Sequence, residues 1–193
     1  MRNMMILTVT MMVLIAPAAF AGGAGVGDPA PDFTLKDLQG NDVTLSKIDG
    51  VRVLEWVNPD CPFVKRHYQA GTMKKLEAQY EAKGVTWLTI NSTHYMDREA
   101  NEAFAKANGL SQTILLDPTG TVGHLYGAAT TPHMYIIDAG GTIVYAGAID
   151  DDPRGTTDDP TNYVAKALDE VLAGKPVTTA ETKPYGCSVK YAK

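Results

Sequence analysis

Only two cysteines, Cys61 and Cys187, occur among the 193 residues. A mature chain of about 150 to 170 residues buries a core without staples, so disulfides are optional for its folding. The pair is open to three readings: a structural bridge, a redox pair, or two independent thiols. Basic side chains are also scarce, 17 against 22 acidic ones, and no basic patch is evident for a phosphate backbone. Nucleic acid is therefore excluded as a partner. No apolar run reaches the roughly 20 residues of a membrane span, so the chain is not expected to cross one. Internal repeats and a second domain are absent as well.

The longest apolar stretch, Met4 to Ala16, follows Met1 and Arg2 and precedes Ala19-Phe20-Ala21-Gly22. Positive start, short apolar core and small-residue site are the pattern of a cleavable export signal over residues 1–21. The expected product is exported and periplasmic, beginning at Gly22. The domain is expected over 22–178, with a tail over 179–193 that carries Cys187.

Asp32–Leu35 and Asp42–Leu45 alternate around Gly40-Asn41 and predict a small hairpin. Val51–Val57 is a β-rich apolar run, broken by Asn58-Pro59-Asp60. Cys61-Pro62 then opens a helical pattern through about Lys83, closed by Gly84. Val85–Ile90 predicts a second buried strand. Asp97 caps a helix whose apolar face carries Ala100, Phe104 and Ala107 and which ends at Asn108-Gly109. A short strand over 113–116, a helical turn over 120–126, and strands 134–137 and 143–147 around Ala139-Gly140-Gly141 follow. Asp159, with Pro160 after it, is expected to cap a last helix with Val164, Leu168, Val171 and Leu172 on one face, ended by Gly174. Lys175–Lys193 has no periodicity. This order is the thioredoxin-type α/β arrangement, a central mixed sheet flanked by helices with an N-terminal hairpin extension.

Cys61 sits where a helix starts. The unsatisfied N–H groups there carry about half a positive charge and favour a thiolate. Pro62 at the first helical position, with Lys65 and Arg66 one turn on, completes an electropositive setting. A thiolate so placed is a nucleophile; a buried, inert cysteine is the plainer reading. Thr130-Thr131-Pro132-His133 before a strand is similar to the other half of a thioredoxin site, which implies a cis Thr131-Pro132 bond and a loop that presents substrate by its backbone. His133 is placed to tune the thiolate.

Leu54-Glu55-Trp56-Val57-Asn58-Pro59-Asp60-Cys61-Pro62-Phe63-Val64-Lys65, Thr131-Pro132-His133, Tyr145–Asp151 and Gly186-Cys187-Ser188-Val189-Lys190 together resemble one family. It is the redoxin or peroxiredoxin-like thioredoxin-fold family, related to alkyl hydroperoxide reductase and thiol-specific antioxidant proteins. The resemblance aligns Cys61 with the first cysteine of the thioredoxin Cys-x-x-Cys motif. Val64 replaces the second, so a disulfide partner is not local. Leu54 and Asn58 stand where peroxiredoxins carry Pro and Thr or Ser, which places peroxidase chemistry second.

The expected function is thiol–disulfide exchange, with Cys61 and Cys187 catalytic and Thr131 and Pro132 binding substrate. The substrate would be a disulfide or oxidised thiol, or in the alternative a peroxide, and an electron-donor thiol protein would be the partner. A non-catalytic binding or metal-carrier module is the remaining class. No cofactor is expected. His67, His94, His124 and His133 follow no ligand spacing, so no metal is assigned. The Asp150-Asp151-Asp152 run reads as a solvated loop.

Overall fold

A computed structural model describes residues 22–110 and 114–193. The expected export signal and the start of the strand expected from Thr113 lie outside the described residues.

Strands β1 (Thr34–Lys36) and β2 (Asp42–Thr44) form the expected hairpin, with Thr34 opposite Thr44. The centre of the sheet is β3 (Arg52–Trp56), every residue of which is buried. It pairs in parallel with β4 (Thr86–Asn91) and antiparallel with β7 (His133–Ile137). With β5 (Ile114–Leu116) and β8 (Ile143–Gly147) the order is β2-β1-β5-β4-β3-β7-β8. Alternation along β3 divides the core into two. Val53 joins Val64, Tyr68, Met73, Leu76 and Tyr80 on one face, and Leu54 and Trp56 join Leu88, Ile90, Tyr126 and Tyr135 on the other. Helices α1 (Pro62–Gln69), α2 (Thr72–Glu81), α3 (Arg98–Asn108) and α5 (Tyr163–Leu172) bury residues in the first half. The short α4 (Thr121–Tyr126) lies on the second. The fold is the thioredoxin-type mixed sheet flanked by helices.

Three local readings are corrected. The helix expected from Pro62 to Lys83 is two helices, because Gly71 takes a left-handed backbone (φ 72°) that a helix cannot continue through. The last helix is capped by Asn162 rather than Asp159: its side-chain oxygen accepts the Ala165 N–H at 2.8 Å, while the Ile149 carbonyl takes the N–H of Tyr163. Val164 and Leu168 are buried as expected, but Leu172 at the end of α5 is 38 % exposed. Asp97 caps α3 by accepting the Ala100 N–H at 2.9 Å, and Gly109 ends it left-handed. Asp97→Ala and Asn162→Ala should each cost about 1 kcal/mol of stability in denaturant titration.

The tail is the largest departure. Its sequence has no periodicity, yet it runs back across the molecule. The Thr182 N–H donates to the Ala146 carbonyl at 3.1 Å, and the Ala146 N–H donates to the Ala180 carbonyl at 3.0 Å. Two residues, Cys187–Ser188 (β9), pair antiparallel with β6 (Thr130–Thr131), placing Thr131 opposite Cys187 and Thr130 opposite Ser188. Long-range pairing of this kind needs no local pattern, which is why the sequence does not announce it.

Candidate redox site

The Asn58-Pro59-Asp60 turn ends β3 and delivers Cys61 to the N-cap of α1. The Cys61 N–H donates to the Asn58 carbonyl at 2.9 Å and its own carbonyl takes the Lys65 N–H at 2.9 Å. Pro62 follows at the first helical position, where a missing N–H costs nothing. The residue is 2 % exposed. Its thiol donates to the Thr131 carbonyl at 2.9 Å, and the Thr131–Pro132 peptide bond is cis. Cys187 completes the site from β9. Both thiols are free, and they are near enough for each to shift the pKa of the other.

Burial by itself would raise the Cys61 pKa. It is outweighed by the N–H groups of Val64 and Cys187, the Cys187 thiol and the Thr131 side chain, so the thiol lies below its ordinary range. The Thr131 hydroxyl is buried with no partner beside the neutral thiol, which leaves it available to a thiolate. Cys187 is shifted the other way, first by burial and then by its neighbour Cys61. The two sulfurs are thus unequal: one buried and easily ionised, the other half-buried and reluctant.

The cations expected to tune Cys61 are engaged elsewhere. Lys65 lies 4.0 Å from the Asp60 carboxylate, and Arg66 donates to the carbonyls of Asp152 (2.9 Å) and Pro153 (2.8 Å). His133 pairs in register with Trp56, on the sheet face away from α1. There its Nδ1 accepts the Ala129 N–H at 3.3 Å, and burial pushes its pKa down to about 4. It is neutral at pH 7 and supplies no positive charge. The groups that lower the Cys61 pKa most are amide donors and the second thiol.

Two features escaped sequence reading. Glu55, in the middle of β3, is fully buried, and its carboxylate accepts the Trp87 indole N–H at 2.9 Å and the Tyr68 hydroxyl at 3.0 Å. Burial raises its pKa to about 7, against the pull of those two donors and with added repulsion from Glu77. A glutamate inside an otherwise apolar strand was its visible signal. The other feature is Tyr185, whose hydroxyl bonds the Asp150 carboxylate and lies 2.9 Å from Nε2 of His67. Its aromatic ring in an unpatterned tail gave little warning.

A cysteine at a helix start, a cis-proline loop facing it and a second thiol alongside, on this sheet, define a thiol oxidoreductase of the thioredoxin fold. The sequence profile of the AhpC/TSA family matches residues 26–146, and the chain belongs to that family. It is 30 % identical over 122 residues to the thiol-disulfide oxidoreductase ResA of Halalkalibacterium halodurans, covering 63 % of this chain and 67 % of that one. Similarity to the chloroplastic peroxiredoxin Q of Triticum aestivum is 28 % over 131 residues, covering 64 % and 59 %. A crystal structure of a hypothetical protein from Sinorhizobium meliloti superposes with a TM-score of 0.80 at 31 % identity, over 88 % of this chain and 96 % of that one.

Proposed function

We propose that the protein is an exported thiol–disulfide oxidoreductase in which Cys61 attacks and Cys187 resolves. The observation that carries this reading is the pairing of β9 with β6, which sets Cys187 beside Cys61 and opposite Thr131. The Cys61 thiolate attacks one sulfur of a disulfide, forming a mixed disulfide and releasing the first thiolate. Cys187 loses its proton to solvent and attacks the Cys61 sulfur, forming the internal disulfide and releasing the second. The substrate gains two electrons and the cysteine pair loses two. Return requires a donor dithiol. Attack on Cys187, the more accessible sulfur, expels Cys61 as the better-stabilised leaving thiolate.

A disulfide substrate is favoured over a peroxide by Asn58, which stands where a peroxiredoxin hydroxyl would be. Its side-chain oxygen accepts the Asp60 N–H at 2.8 Å and its amide nitrogen lies 3.4 Å from the Tyr95 hydroxyl, so both ends are used locally. The test is rapid mixing of the reduced protein with hydroxyethyl disulfide or hydrogen peroxide across pH. The disulfide should react faster, with a rate that rises through an apparent pKa below the ~8.5 of free cysteine, and Cys187→Ala should move that midpoint upward. Faster reaction with peroxide, leaving a sulfenic acid on Cys61 in a Cys187→Ser variant, would make the protein a peroxidase instead.

A further inference from the structure

The backbone edge before a cis-proline, next to a reactive cysteine, is where an extended polypeptide would add as a strand. In this protein that edge is already taken. Cys187 and Ser188 pair with Thr131 and Thr130, and Gly186 brings the tail so near that a β-carbon on it would overlap the Thr131 carbonyl oxygen. The tail is fastened on both sides of this short pairing. Upstream, the Thr182 hydroxyl accepts the Ala148 N–H at 2.9 Å, and Tyr185 is held by Asp150 and His67. Downstream, the Val189 N–H donates to the Ala129 carbonyl at 3.1 Å, and the Lys190 carbonyl takes the His94 N–H at 2.9 Å. Tyr191 then stacks on His124 with centroids 4.0 Å apart, and its hydroxyl donates to the Ala128 carbonyl at 2.6 Å. Val189 is buried in the core between these anchors.

Resting on the reading of Cys61 as the attacking thiol, we propose that the chain's own tail fills the polypeptide-binding edge, and that the substrate is a low-molecular-weight disulfide rather than an extended protein segment. The reasoning is competitive. A peptide strand needs the backbone groups of Thr130 and Thr131 that β9 occupies, and cannot have them until a doubly anchored segment lifts. A small disulfide needs no strand pairing, only an approach to the Cys61 sulfur past the half-buried Cys187 side chain. The segment that brings the resolving thiol is thus also the one that restricts the substrate.

The test uses two mixed disulfides with the same thionitrobenzoate leaving group, one on N-acetylcysteine and one on the central cysteine of an extended peptide. The peptide should be about ten residues long, enough to cover a typical strand. Release of thionitrobenzoate by the reduced full chain is followed for both. The small compound should react ~100-fold faster or more, because the peptide reacts only with the small fraction of molecules whose tail is open. Gly186→Val, which cannot dock β9, should raise the peptide rate at least ~10-fold by enlarging that fraction. Tyr185→Phe combined with Tyr191→Ala tests the same release through other contacts. Equal rates for the two compounds in the unmodified protein would overturn the proposal while leaving Cys61 as the nucleophile. If neither compound reacts at Cys61, both the proposal and the exchange reading fall.

Discussion

Cys61→Ser should abolish turnover of a small disulfide, a loss of ~10³-fold or more, because the group that forms the covalent intermediate is gone. Cys187→Ser should behave differently. Serine keeps the backbone N–H that points at the Cys61 sulfur, so a thiolate still forms, though one donor thiol is lost. The first attack should survive within about tenfold, since one lost hydrogen bond of the usual net strength is worth about 1 kcal/mol. The second attack cannot occur. The expected signature is a stoichiometric burst of one released thiol, followed by a stable mixed disulfide on Cys61. Equal and complete loss in both variants would mean that Cys187 is needed to make the thiolate rather than to resolve the intermediate. Sustained turnover in Cys187→Ser would show that resolution comes from outside the chain.

The second large effect is on stability, and it has two opposed parts. Glu55 has a folded pKa of about 7 against 4.5 when free. A pKa raised by folding gives stability that is complete below 4.5 and is lost as pH rises through about 7. The shift corresponds to about 3 kcal/mol. His133 has a folded pKa of about 4 against 6.5. A pKa lowered by folding gives stability that is complete above 6.5 and lost as pH falls through about 4, again about 3 kcal/mol. The two slopes run in opposite directions over nearly the same window and offset each other, which leaves in the parent protein the gain with rising pH from His67, whose pKa is also lowered by burial. Substitution should unmask each one. Relative to the parent, Glu55→Gln should gain about 3 kcal/mol between pH 4 and 8, since it no longer has to bury a charge. His133→Asn should lose its relative advantage over the same interval. Chemical denaturation at a series of pH values reads both. A difference between Glu55→Gln and the parent that is independent of pH would mean that Glu55 does not titrate in this range.

Much of this was legible in the sequence where local chemistry decides. The β3 run, the Cys61-Pro62 helix start, the Asp97 cap and the Gly109 stop are each set by neighbouring residues, and each stands where the pattern put it. The cis bond at Pro132 was carried by resemblance rather than by spacing. What failed depended on distance or on competition. The helical pattern from Pro62 to Lys83 runs across Gly71, and only the left-handed backbone of that residue shows that the helix divides there. Asp159 and Asn162 are both good caps; Asn162 prevails because the Ile149 carbonyl, 13 residues earlier, anchors the first N–H of the helix. Lys65, Arg66 and His133 were near Cys61 or its facing loop in sequence, but side-chain direction sent two of them to acidic or carbonyl partners and one to the opposite sheet face. The role of the tail was invisible because its partners lie between 30 and 130 residues away and follow no period.

The central claim is that Cys61 and Cys187 form one redox unit. Its most direct test is peptide mass mapping of the purified protein, with free thiols blocked, before and after treatment with a stoichiometric amount of hydroxyethyl disulfide. The account requires two blocked thiols beforehand and a Cys61–Cys187 crosslinked peptide afterwards, reopened by a dithiol. A mixed disulfide that persists on Cys61 while Cys187 remains free would contradict it.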